Sequence, residues 1–132
     1  KENNIENSYI GISVAGRRGR ADSSRVLIEN NLLVGTATGI NIERCVDVTI
    51  RGNIANRLNT NPIEMLYLFD SSDISIVNNI IRNHHNGFFA YGNVVGGGYS
   101  GNTFCNVNAP VNVLAPAVLV DQGNNNLNAQ NC

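Results

Sequence analysis

Four aromatic side chains fall at alternate positions in two short apolar segments. Tyr67 and Phe69 lie in Met65-Leu66-Tyr67-Leu68-Phe69, and Phe89 and Tyr91 lie in Gly87-Phe88-Phe89-Ala90-Tyr91. They are half of the chain's eight aromatic residues. Aromatic faces pack on the C–H faces of sugar rings, and a Tyr hydroxyl adds a hydrogen bond. The same four residues would also suit a subunit interface or the underside of a loop. A second group is basic. The segment Ala15-Gly16-Arg17-Arg18-Gly19-Arg20-Ala21-Asp22-Ser23 holds Arg17, Arg18 and Arg20, three of nine basic residues. Their planar forks suit a carboxylate, sulfate or phosphate, and a solvated loop is the plainer alternative.

A third group could move protons. Glycoside hydrolysis needs two carboxylates at a set separation. Removing a sugar C5 proton needs a base, with a cation or donor to hold the developing enolate. Glu43, Asp70 and Asp73 are candidate acids or bases, and Arg44 could neutralise a carboxylate. His84 and His85 are adjacent candidates, with a solvated turn as their plainer role. Asp47 and Asp73 fall one repeat apart, about 5 Å if stacked. Such a pair could bind calcium, the one cofactor entertained, although turn capping is the default.

The chain that must position these groups has 132 residues, 42% hydrophobic and 14% charged, with net charge −1. That is material for one domain, residues 1–132, with too little charge for disorder. A nucleic-acid partner driven by bulk charge is not expected. No apolar run approaches the ~18 residues of a membrane span, so a membrane partner is not expected either. Asn occurs 24 times. Asn forms helices poorly and turns well, which excludes a helical bundle.

Internal repetition organises the sequence. Val26-Leu27-Ile28-Glu29-Asn30-Asn31, Val48-Thr49-Ile50-Arg51-Gly52-Asn53, Ile74-Ser75-Ile76-Val77-Asn78-Asn79 and Gly97-Gly98-Tyr99-Ser100-Gly101-Asn102 end alike, at steps of 22, 26 and 23 residues. Further copies are expected to end at Asn4 and Asn124. Between these anchors recur Gly11-Ile12-Ser13-Val14, Gly39-Ile40-Asn41-Ile42, Met65-Leu66-Tyr67-Leu68, Gly87-Phe88-Phe89-Ala90 and Val111-Asn112-Val113. After each anchor comes a short third piece such as Leu32-Leu33-Val34 or Ile80-Ile81. Each segment alternates with period two, as a strand with one buried face must. No repeat can bury that face alone, so the repeats must stack. The predicted fold is all-β: a parallel β-helix solenoid of about five coils of 22–27 residues, three short strands per coil, with an Asn ladder. Ile12, Ile40, Leu66 and Phe88 form one predicted column, and Val26, Val48 and Ile74 another. Length varies at Ala15–Ser23 and Arg57–Pro62, predicted outward loops.

The pattern V-x-I-x-(N/G)-N followed by G-I-x-I resembles the right-handed parallel β-helix of the pectate-lyase-like superfamily. The resemblance covers nearly the whole chain. It implies binding or processing of an extracellular, acidic polysaccharide, by a lyase, epimerase or hydrolase. It equally admits a non-catalytic structural or adhesive module, such as a phage tailspike or surface-protein segment that oligomerises through its aromatic patch. The implied location is extracellular or on a cell or virion surface. The NTD, DD and GH elements of polygalacturonases, the DPHD signature of alginate epimerases and the arginine motif of pectate lyases are absent, which counts against a complete active site. The chain starts in mid-coil, so it is expected to be the C-terminal portion of a longer solenoid, or a subunit whose open end a partner covers; a complete small protein is the alternative. Of three cysteines, Cys45 is placed in a turn and Cys105 in a third-type strand. An odd count favours unpaired thiols, while the spacing of Cys105 and Cys132 permits a disulfide.

Overall fold

Short alternating segments punctuated by Asn and Gly bury a face only by lying over one another. The computed structural model shows this arrangement and describes residues 2–17, 23–57 and 63–129. Among the described residues there are sixteen strands and no helix. In chain order they are β1 (Asn4–Glu6), β2 (Ile10–Ala15), β3 (Ser23–Glu29), β4 (Leu32–Val34), β5 (Thr38–Glu43), β6 (Cys45–Arg51), β7 (Ile54–Asn56), β8 (Glu64–Phe69), β9 (Ser72–Val77), β10 (Ile80–Arg82), β11 (Asn86–Tyr91), β12 (Gly97–Ser100), β13 (Thr103–Cys105), β14 (Ala109–Val113), β15 (Leu119–Asp121) and β16 (Asn126–Ala129).

Every third strand pairs, always in parallel. Sheet A stacks β1, β4, β7, β10, β13 and β16; sheet B stacks β2, β5, β8, β11 and β14; sheet C stacks β3, β6, β9, β12 and β15. The chain is a parallel β-solenoid of about four turns. The sequence count of about five tallied strands, whereas five stacked strands span four circuits. The predicted columns hold: Ile12 pairs with Ile40, Ile40 with Leu66 and Leu66 with Phe88 in sheet B, and Val26 with Val48 and Val48 with Ile74 in sheet C. Sheet A contributes Ile5, Leu33, Ala55, Ile81 and Phe104. The Phe104 ring occupies the space that Gly87 leaves on sheet B, and Phe104 and Tyr99 each meet Phe88 edge to face, with centroids 5.0 Å (Phe88–Phe104) and 5.9 Å (Phe88–Tyr99) apart. Each buried Ile, Leu or Phe stabilises the stack by about 1.5–3 kcal/mol over an exposed one.

Backbone with positive φ recurs at fixed places in each coil. One column is Asn30, Gly52, Asn78, Gly101 and Asn124; another is Arg25, Asp47, Asp73 and Gly96; a third is Asn7, Gly35, Asn83 and Asn106; a fourth is Arg44, Asp70 and Gly92. These are the corners, and Asn, Asp and Gly fill most of them because they tolerate the left-handed region. In the first column Asn and Gly alternate for a steric reason. A Cβ at Gly52 would lie 2.6 Å from Asn30 Oδ1, so the Asn of one coil leans into the space its neighbour's glycine leaves.

The residue after each first-column corner is the ladder Asn, and Asn31, Asn53, Asn79 and Asn102 are buried. Asn31 Nδ2 donates to Asn53 Oδ1 (2.8 Å), Asn53 to Asn79 (2.9 Å), Asn79 to Asn102 (3.0 Å) and Asn102 to Asn125 (3.1 Å). Each Oδ1 also accepts the backbone N–H of the Asn one coil before it. The remaining Nδ2 proton reaches backbone carbonyls, as Asn79 does to Ile50 O at 3.0 Å. The end anchors differ from expectation by one residue. They are Asn3, which donates to Asn31, and Asn125, not Asn4 and Asn124. Asn124 itself takes the positive-φ corner.

Two cysteine expectations also change. Cys45 opens β6 fully buried, and its thiol lies 3.3 Å from the Glu43 carbonyl oxygen. Cys105 is disulfide-bonded rather than an unpaired core filler; Cys132 lies outside the described residues, as do most of the two inserted loops.

The ladder dictates a stability test. Asn79→Ala strips the acceptor from two donors of buried Asn53 and a donor from Ile50 O. It is expected to cost about 3 kcal/mol or more in urea unfolding. Asn56→Ala, which removes one exposed bond from Asn83, should cost under about 1 kcal/mol. Equal losses would contradict the ladder's role.

Candidate functional site

The four candidate aromatics stand on the outer face of sheet B because their strand neighbours are fully buried: Leu66, Leu68, Phe88 and Ala90 all point inward. In-register pairing then sets Tyr67 beside Phe89 and Phe69 beside Tyr91. Tyr67 and Phe89 stack at 5.9 Å with 24° between planes, and Phe69 and Tyr91 lie 4.5 Å apart. Tyr91 also packs against Tyr67 (5.6 Å) and Phe89 (6.0 Å), so the rings form one continuous cluster. Each ring is half-buried, partly by the others. Gly92, at φ 73°, leaves the space that the Phe69 ring occupies.

Polar groups border the cluster. Across the edge from Phe69 lies Glu43, in register with it. Glu43 accepts from Asn41 Nδ2 at 3.2 Å through one oxygen and pairs with Arg44 Nη2 at 3.2 Å through the other. Arg44 Nε donates to the Gly16 carbonyl at 3.1 Å. Arg44 therefore pairs with Glu43, its chain neighbour, while the stacked Asp70 accepts the Asn93 backbone N–H at 2.8 Å. Burial, its hydrogen bond with Tyr91, and the nearby charges of Tyr91, Glu43 and Glu64 push the Tyr67 hydroxyl pKa well above the usual tyrosine range. Tyr67 is thus a neutral O–H group at physiological pH.

The other predicted residues are dispersed. Arg17 is exposed beyond the end of β2, and Arg18 and Arg20 lie outside the described residues. Asp47 and Asp73 occupy a corner column of sheet C, both at positive φ. Among the described residues no three His, Cys, Asp or Glu side chains gather as a metal-ligand set. His85 is exposed, its Nδ1 3.1 Å from Asn108 Nδ2. His84 is not in a solvated turn: it is 2% exposed, in the corner between sheets A and B, and its Nδ1–H donates to the Arg82 carbonyl at 2.8 Å. The structure brings Glu43, Arg44 and Asp70 to the edge of the aromatic cluster and leaves Asp73, His84 and His85 on other parts of the coil.

Three features were not singled out from sequence. Glu64 is one, hidden because it precedes an apolar segment. A second is Glu29, buried on sheet C against Arg51 Nη2 at 2.6 Å; their 22-residue spacing matched the repeat. The third is Arg57, which the sequence assigned to a loop. It is buried, and among the described residues its Nε and Nη1 find no partner, nor does His84 Nε2.

Burial, opposed by the His84–Arg82 carbonyl bond and reinforced by the Arg57 charge, lowers the His84 pKa from 6.5 to about 4. The folded chain therefore refuses a proton that the unfolded chain accepts below about pH 6.5. Stability is complete above that pH and falls as pH drops toward 4. Between pH 7.5 and 5.5, above the carboxylate range, His84 should account for about 1 kcal/mol of lost stability. Urea midpoints for wild type and His84→Gln at both pH values check this; parallel losses would contradict it.

Comparison with known proteins gives no identification: no family model, curated protein or solved structure matches the chain.

Proposed function

We propose that the chain is a carbohydrate-binding β-helix of the pectate-lyase-like kind, and that a polysaccharide lies across the outer face of sheet B. The observation that carries this reading is the four-ring cluster, held at fixed spacing by two adjacent in-register strands. Flat hydrophobic faces with hydroxyl tips suit sugar rings, which offer C–H faces and hydroxyl groups together. The strands are rigid supports, so binding costs little ordering of the rings. The sequence pattern of the coils, which resembles that superfamily, supports the same ligand class. The Cys105 disulfide supports an oxidising, extracellular setting.

Binding is favoured over bond cleavage. A hydrolase or an eliminating enzyme would draw on Glu43 and Asp70, the candidate carboxylates at the edge of the rings, and both already hold fixed hydrogen bonds. The remaining candidate acids and bases stand elsewhere on the solenoid. An adhesive module that self-associates through the same rings is the second reading, favoured by their incomplete burial.

Affinity electrophoresis of the intact chain through gels containing a range of polysaccharides separates these readings. Retardation by at least one glycan is expected, with Tyr67→Ala and Phe89→Ala each weakening it about tenfold, or about 1.4 kcal/mol, at unchanged melting temperature. Absence of retardation by every glycan would overturn the carbohydrate reading. A dimer by light scattering that Tyr67→Ala dissociates would favour the adhesive one.

A further inference from the structure

Resting on the carbohydrate reading, the geometry points to the charge of the ligand: we propose that the aromatic face of sheet B selects uncharged polysaccharides and disfavours uronate or sulfated chains. An acidic ligand was the expectation from Arg17, Arg18, Arg20 and Arg44. Arg18 and Arg20 lie outside the described residues, and the placement of Arg17 and Arg44 gives that expectation no support. Among the described residues Arg44 is the cation beside the rings, and its guanidinium is committed on two sides, Nη2 to Glu43 and Nε to the Gly16 carbonyl. With Glu43 it forms a pair of zero net charge. Arg17 belongs to the first coil, two strands away from β8 in sheet B, about 10 Å across the strands.

Among the described residues, what remains near the rings is negative. Glu64 lies at the start of the strand that carries Tyr67 and Phe69, and its charge, like that of Glu43, is felt at the Tyr67 hydroxyl. Asp70 follows Phe69 directly, exposed at the corner. Neither Glu64 nor Asp70 is in an ion pair among the described residues. A carboxylate or sulfate laid over the rings would come within several ångströms of these charges. Like charges facing each other there repel, the more so because the half-buried rings hold the local dielectric below that of water. That repulsion rejects the charged ligand without any steric block. An uncharged sugar meets the opposite situation. Its hydroxyl protons find acceptors on Asp70 and Glu43, and its ring oxygens find a donor in the outward Asn112, which shares the Tyr67–Phe89 column.

The test is an array of neutral, uronate-bearing and sulfated glycans, probed with the intact chain at low and at physiological salt. Neutral members should bind at least tenfold more tightly than uronate members of matched linkage, and the gap should narrow as salt rises. Glu64→Gln, which leaves the rings intact, should strengthen binding of the uronate polymers several-fold and leave neutral binding unchanged. Tighter binding of uronate or sulfated members at low salt, or a Glu64→Gln variant with no change in the ratio, would overturn the selectivity while leaving the carbohydrate reading intact. Silence from the whole array would instead overturn that reading.

Discussion

The structure depends on a row of buried primary amides. A side-chain amide has two donors and two acceptor sites, and burying it without partners is costly. Stacking resolves this, because each Asn supplies the acceptor that the Asn one coil before it needs, for both its backbone and its side-chain N–H. The row continues from Asn3 to Asn125, where the last amide turns to the Asp121 carboxylate at 2.7 Å. A slip of one residue would break every link and, because strand side chains alternate, would turn the apolar columns outward. The ladder and the hydrophobic columns therefore enforce the same register.

That register is what assembles the outer face. Tyr67 and Phe89 are 22 residues apart in the chain, and Phe69 and Tyr91 likewise. No local interaction brings them together. They meet because the ladder holds β8 and β11 in step while their buried neighbours anchor each strand to the core. A surface made this way is stiff, and its shape is set by the strand spacing. Its charge is set locally, by which carboxylates stand beside the rings and by how fully Arg44 is spent on Glu43 and the Gly16 carbonyl.

Much of this was legible in the sequence. The period-two alternation revealed the inward columns and the outward pairs, and both recur in the pairing register. The end anchors slipped by one because Asn3-Asn4 and Asn124-Asn125-Asn126 offer several asparagines, and only the corner backbone tells which joins the ladder. His84 was misjudged because histidine in a turn is usually wet. Its alignment with Thr36, which also lies two residues past a sheet A strand and is also buried, carried the missing signal. The commitment of Arg44 to Glu43 rather than Asp70 was not legible, since rotamer choice among neighbouring charges depends on three-dimensional geometry. Nor was the lack of partners for the Arg57 Nε and Nη1 among the described residues, for the same reason.

The central claim is that the Asn amides are linked from coil to coil inside the solenoid. Hydrogen exchange of the side-chain Nδ2 protons, followed by NMR with assigned Asn resonances, addresses it most directly. Asn53 and Asn79 should exchange orders of magnitude more slowly than the exposed amide of Asn93, and should show cross-peaks to each other despite 26 intervening steps of sequence. Rapid exchange at Asn53 and Asn79, on the timescale of Asn93, would contradict the account.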